Sequence, residues 1–225
     1  MALFKKNMDM HTRLLYHALV YPLFFLFCFW LVFFVEWFLK ADFKEFGVYP
    51  LALKGLKGII TMPFIHADFK HLFANSAAFF LLTTLLFSNY RHIALRVFIL
   101  IWLVSGSILW IIGRQNWHIG ASGVVYGIAF FLFLRGFFSK KIQLAATSLI
   151  VAFLYGSMVW YMFPLGVDRH ISWEGHLSGA VIGSLLAIYY KLKEPPEIPI
   201  TDNEEEEVEY DWQVDEVKNT PNDAV

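Results

Sequence analysis

The chain of 225 residues has a single cysteine, Cys28, and only 16% of its residues are charged, against roughly 25% in an ordinary soluble domain. One cysteine excludes a disulfide-stapled scaffold, and Cys28 lies inside an apolar run as packing. So little charge, beside 58% hydrophobic and 19% aromatic residues, excludes a disordered chain and leaves no basic face for nucleic acid. No repeat of 20–50 residues is visible. The net charge of −1 conceals two opposed parts. Twelve of the 19 acids fall from Glu194 onward with one base, Lys218, so the first 193 residues hold seven acids and 17 bases. With a mean hydropathy of +0.54, the body is basic and very apolar and the tail acidic. That pattern describes a membrane protein with a soluble appendage.

Apolar runs of about 17–25 residues cross a bilayer as helices. Six are present: His17 to Leu39, His71 to Phe87, Ile93 to Ile112, Ala121 to Phe138, Ile142 to Phe163 and Trp173 to Tyr190. The expected fold is an all-α polytopic bundle of six transmembrane helices over residues 17–192. A short cytoplasmic segment, 1–16, precedes it, and an acidic, largely disordered cytoplasmic tail, 193–225, follows. The first run ends in bulky residues and carries Glu36, unlike a cleaved signal peptide. Pro22 is read as lying early in that run, where a helix tolerates it.

Lys and Arg in short loops set orientation. Lys5, Lys6 and Arg13, then Arg91 and Arg96, then Arg135, Lys140 and Lys141, then Lys191 and Lys193, all fall on one side. The opposite short loops hold only Arg114 and Arg169. Both termini are therefore expected in the cytoplasm, and the protein in the cell inner membrane or plasma membrane. The first loop, Lys40 to Lys70, breaks the bias with five lysines, but it is long and counts less. Phe43, Phe46, Val48, Tyr49, Leu51, Leu53 and Leu56 make it apolar enough to lie on or in the outer interface.

Polar residues inside spans are costly and mark function. His71 and Asn75 start the second span, Ser122 the fourth and His176 the sixth. All three groups fall on the outer leaflet in this topology. A serine hydroxyl needs a base to take its proton, and histidine is the usual one. Ser122 and His176 meet if spans four and six pack closely. Gly179-x-x-x-Gly183 is a small-residue contact suited to that, and Gly123, Gly127 and Ala129 keep the fourth span accessible. Tyr126, one turn after Ser122, is placed either to support the histidine ring or simply to pack, and Gly179 is open between the same two roles. His71 and Asn75, at i and i+4, share a face. They serve either as oxyanion donors beside the Ser122 N–H, which is free at a helix start, or as a helix-start network. With Asp68, Asp168 and Glu174 in or near outer loops, a Ser–His dyad is favoured over a triad. His66 is read as structural. His118 and His170 are read as solvated.

His71-x-x-x-Asn75, Gly120-x-Ser122-Gly123 and Gly175-His176-x-x-Gly179, on alternate spans in that order, resemble the rhomboid intramembrane serine proteases. The stretch Phe64 to Asn75 adds His66, five residues before His71. The resemblance covers Gly47 to Tyr190 and matches the six-span bacterial type. It implies Ser122 as nucleophile, His176 as general base, and His71 and Asn75 as oxyanion donors. It implies Tyr126 stacked on the histidine, with Gly120, Gly123, Gly179 and Gly183 in support. The substrates implied are transmembrane proteins in a lipid bilayer, with no cofactor, metal or nucleic acid. The first loop departs from the family in lacking its common Trp-Arg pair. Ala121 stands where inactive relatives carry proline.

Three other functions compete. A transporter needs polar residues along a path through both leaflets, and the inner halves of these spans are nearly all apolar. A metal site on His66, His71 and His176 has no His-Glu-x-x-His helix behind it. An inactive rhomboid-like protein that only binds transmembrane segments is the serious alternative. The acidic tail reads as solubilising or, less simply, as a partner-binding segment.

Overall fold

The computed structural model describes residues 10–164 and 171–193. The basic N-terminal residues Lys5 and Lys6, the segment holding Asp168, Arg169 and His170, and the acidic tail from Glu194 lie outside the described residues. The chain divides at Lys193. The described residues form seven helices: α1 (Met10–Leu39), α2 (Gly58–Thr61), α3 (Phe69–Asn89), α4 (Arg91–Ile112), α5 (Ser122–Phe137), α6 (Ile142–Tyr155) and α7 (Trp173–Leu192). Short 3₁₀ turns complete the first loop and extend α6. The β pairing among the described residues is one antiparallel bridge, Val48 to His118.

Four helices are long and apolar enough to cross a membrane: Ala18–Leu39, Phe69–Asn89, Arg91–Ile112 and Ile142–Met162. Their outward faces are apolar, with Phe38, Phe153 and Leu149 largely exposed, as in a bundle whose solvent is lipid. α5 is apolar but short. Its 16 residues rise about 24 Å, less than the roughly 30 Å of a hydrocarbon core. α7 has the length, but Glu174, His176, Ser178 and its glycines dilute its apolar character. α5 sits where neighbours cover it, whereas α7 buries its small-residue face and leaves Leu185 and Leu192 exposed. α5 is buried from Gly123 to Gly136 apart from a few partly covered side chains. Ile128, Phe131 and Leu132 of α5 join Phe79, Leu82 and Leu86 of α3 and Ile101 of α4 in the core.

Two sequence readings need correction. α1 starts at Met10, one to two turns before the apolar run, so Pro22 is an interior residue rather than an early one. Its ring removes the N–H that would bond the Ala18 carbonyl. The fifth apolar run, Ile142 to Phe163, is not one α-helix: α6 ends at Tyr155, and Gly156 and Ser157 begin a 3₁₀ segment over Gly156–Met162. The tighter winding reorients the backbone carbonyls that follow, and two of them reach the candidate site.

α5 and α7 approach backbone to backbone. A Cβ built on Gly179 would lie 1.9 Å from the Gly123 carbonyl oxygen, and one on Gly183 would lie 2.0 Å from that of Gly127. Small residues one turn apart on both helices permit this contact. The first loop packs over the bundle by tryptophan donors. Trp102 Nε1 donates to the Ile59 carbonyl and Trp110 Nε1 to that of Ala52, both at 3.0 Å.

Glycine-to-alanine changes should therefore split by sign. In an open helix the change gains up to about 1 kcal/mol, and Gly156, with nothing within 4 Å of an added methyl, should behave that way. Gly183→Ala should instead lose about 1–3 kcal/mol through overpacking. Thermal melts of the two variants in one detergent would check the opposite directions.

Candidate active site

The N-terminal ends of α3, α5 and α7 meet at one end of the bundle and bring Ser122 and His176, 54 residues apart, into contact. His176 Nε2 lies 3.0 Å from Ser122 Oγ. His176 Nδ1 lies 2.9 Å from the Tyr161 carbonyl oxygen. A carbonyl only accepts, so Nδ1 carries the proton, and in the neutral ring Nε2 offers its lone pair to the Ser122 hydroxyl. This is the tautomer that a general base requires. The carbonyl holding it belongs to the 3₁₀ extension of α6. Tyr161 is next to last in that segment, where carbonyls lack helical partners. Met158 is three residues earlier, on the same side of a three-residue turn. Its carbonyl accepts from Tyr126 Oη at 2.9 Å. The Tyr126 ring lies flat on the His176 ring, with centroids 4.2 Å apart and planes 6° from parallel. The imidazole is thus fixed by a carbonyl at one nitrogen, an aromatic face and the serine.

Asp68 caps α3 by accepting from the His71 backbone N–H at 2.8 Å. Asn75 Nδ2 donates to the His71 carbonyl at 3.1 Å, and His71 Nδ1 receives a long bond from the Ala67 N–H at 3.4 Å. The helix-start network is real, and it coexists with an arrangement aimed at α5. With Nδ1 as acceptor, the neutral His71 ring carries its proton on Nε2. Gly120, two residues before Ser122, has φ +102°, and a Cβ there would lie 2.8 Å from His71 Nε2 and 3.8 Å from Asn75 Nδ2. Both side-chain nitrogens therefore converge on the backbone just before Ser122, whose own N–H stands at the first helical position. His66 is buried behind His71, their ring centroids 5.2 Å apart. Burial above all, and the neighbouring His71, push its imidazole down to about 3, so it stays neutral packing at ordinary pH.

His118, read from sequence as solvated, is buried at 3% exposure. Its Nε2–H donates to the Arg114 carbonyl at 3.0 Å, and its Nδ1 accepts from the Ser172 hydroxyl at 2.6 Å. Burial lowers its pKa, in keeping with a neutral ring. Glu174 is also buried and pairs with Arg114 Nε at 3.2 Å. The signals for this cluster exist in the sequence. Ser172 followed by Glu174 at a helix start is a cap with an acid in the first turn, and Arg114 is one of two cations in the short loops on that side.

Among the described residues, no group of three or more His, Cys, Asp or Glu side chains is arranged to hold a metal ion. A cavity of about 600 Å³ lies away from the Ser122–His176 pair. It is walled by Phe33, Glu36 and Trp37 of α1 and by His66 and Ala67.

Gly120→Ala should be costly on two counts. A left-handed φ strains a non-glycine residue by about 1–3 kcal/mol, and the new methyl would meet the His71 ring. A lowered melting temperature is the expected result, with a larger loss than for Gly123→Ala, whose nearest contact is 3.1 Å away.

The sequence model of the Rhomboid domain family matches residues 54–193, more than half of the chain. The chain is also similar to proteins named as uncharacterized in Mycobacterium tuberculosis and Mycobacterium bovis. Each is 36% identical over 156 residues, covering 66% of this chain and 64% of the relative. A protein of Mycobacterium leprae is 32% identical over 66% of this chain and 61% of its own length. The chain thus spans a little under two thirds of the length of these relatives. With its apolar helices and this match over its helical body, the chain is an integral membrane protein belonging to the rhomboid family.

Proposed function

We propose that the protein is an intramembrane serine endopeptidase that cleaves transmembrane segments of other membrane proteins. The observation that carries this reading is the 3.0 Å contact of Ser122 Oγ with a His176 ring whose other nitrogen is occupied by the Tyr161 carbonyl. In the proposed reaction the Ser122 proton passes to His176 Nε2 as Oγ attacks the scissile carbonyl carbon. His71 Nε2–H, an Asn75 Nδ2–H and the Ser122 N–H hold the oxyanion. His176 then returns the proton to the leaving amine, and water releases the acyl group by the reverse route. The membrane domain is proposed as residues 17–192 with six spans. α5 and α7 count as the fourth and sixth: α5 is short and covered by neighbouring helices, and α7 is polar and small on the face it packs against α5. Both termini are placed in the cytoplasm of a cell whose inner or plasma membrane holds the protein, and the site in the outer leaflet.

In this geometry a substrate helix must unwind locally before its peptide bond reaches Ser122. Cuts are expected near the outer end of single-span segments, at small residues with Gly or Pro nearby. Mass spectrometry of product termini would read this directly, and cuts clustered at the cytoplasmic end would reverse the topology.

The inactive-relative alternative is separated by labelling. A fluorophosphonate should modify Ser122, and labelling should collapse in His176→Ala, where the hydroxyl keeps its proton. Chelators should have no effect. Asn75→Ala should lower turnover about 10²–10³-fold in a folded protein. Robust cleavage by Ser122→Ala, or a well-folded wild type that never labels, would refute the protease reading.

A further inference from the structure

Four contacts tie the loop before α5 to the first turn of α7. The Arg114 backbone N–H donates to Glu174 Oε1 at 3.3 Å, and Arg114 Nε lies 3.2 Å from the same oxygen. The Arg114 guanidinium also donates to the Ile171 carbonyl. The Ser172 hydroxyl donates to His118 Nδ1 at 2.6 Å while accepting from the Gly175 N–H at 3.3 Å. The His118 tautomer this needs is imposed by the Arg114 carbonyl at Nε2. The loop is itself anchored. His118 and Val48 exchange both backbone hydrogen bonds, at 2.8 and 2.9 Å, and the Gly120 N–H donates to the Met62 carbonyl at 2.9 Å.

His176 hangs from this cluster. Its N–H bonds the Ser172 carbonyl at 3.2 Å, and it follows Glu174 by two residues, so the two side chains leave the helix on roughly opposite sides. Helix first turns fray, and a reacting pair must be held within about 0.5 Å. Among the described residues no carboxylate is bonded to the imidazole, so its place depends on the Tyr161 carbonyl, the Tyr126 face and the backbone of that turn. A buried ion pair is weak evidence of stability in itself. Glu174, only 2% exposed in an apolar protein, calls for a different explanation.

We propose that Arg114, His118, Ser172 and Glu174 form a positioning clamp that sets the first turn of α7, and so the His176 ring, against Ser122. None of the four touches the reacting atoms. The clamp rests on the serine-protease reading, deepens it, and is open to a separate test. It places the same loop that carries Ser122 in control of the base, so both members of the pair are referenced to one segment.

The test is saturation labelling of the full-length protein in detergent with a fluorophosphonate, well below each variant's melting temperature. Ser172→Ala and Glu174→Gln should each lower the maximal inactivation rate roughly 10–100-fold, the scale of a misplacement distant from the chemistry. The half-saturating probe concentration should stay unchanged. Ser172→Thr, which keeps a capping hydroxyl, should restore most of the rate. A clamp that merely stabilised the fold would lower the melting temperature and leave the rate of the folded protein intact. Wild-type rates in Ser172→Ala and in whichever of the other variants folds would overturn the clamp while leaving the protease reading standing. A folded wild type that does not label would overturn both.

Discussion

Everything in the candidate site depends on α5 and α7 lying closer than side chains normally permit. Ser122 and His176 are short-reaching groups on different helices, and neither can cross an ordinary interhelical gap. The gap closes because Gly123 and Gly127 face Gly179 and Gly183, so that backbone carbonyls fill the space a Cβ would take. In lipid such contact is favoured by packing rather than by the hydrophobic effect. The cost is that each helix loses apolar surface, which is why α7 is more dilute in apolar residues than the four helices long and apolar enough to cross a membrane. Poor hydropathy and a close-packed site are two faces of one constraint.

Orientation of the imidazole follows a second constraint, the expense of charge in an apolar surround. A carboxylate behind His176 would have to be buried within the bundle. The Tyr161 carbonyl is neutral and already lacks a helical partner at the end of the 3₁₀ segment. It defines the same tautomer at no cost in buried charge. The change of winding at Gly156 thus has a consequence 20 residues on, through the Met158 and Tyr161 carbonyls that hold Tyr126 and His176. Glu174, two residues before His176, is turned away toward Arg114.

The large features were legible because hydropathy and short motifs are local properties. The ends of α3, α4, α5 and α7 fall within about two residues of the apolar runs, and His71, Asn75, Ser122 and His176 are polar groups at the starts of such runs. What stayed hidden is relational. Whether His118 is solvated or buried depends on Ser172 and Val48, which come from different loops. The 3₁₀ finish of α6 shows in sequence only as Gly156-Ser157, which fits an intact helix equally well. Pro22 misled because a helix can begin in polar residues, so the edge of an apolar run is not the edge of the helix. The notion that an outer-loop histidine is solvated failed because loops over a membrane bundle pack on each other and exclude water.

The segment from Gly113 to Ala121 illustrates why a loop here is as ordered as a helix. Its backbone pairs with Val48 and Met62, its side chains reach Ile171, Ser172 and Glu174, and its Gly120 makes room for the His71 ring. Without the left-handed φ at Gly120, α5 would start from a different point and Ser122 would face elsewhere. Three elements far apart in sequence, the first loop, α3 and α7, therefore take their positions from these nine residues. A packed loop must satisfy its own polar groups: the Arg114 N–H binds Glu174, its carbonyl binds the His118 ring, His118 pairs with Val48 and the Gly120 N–H binds Met62.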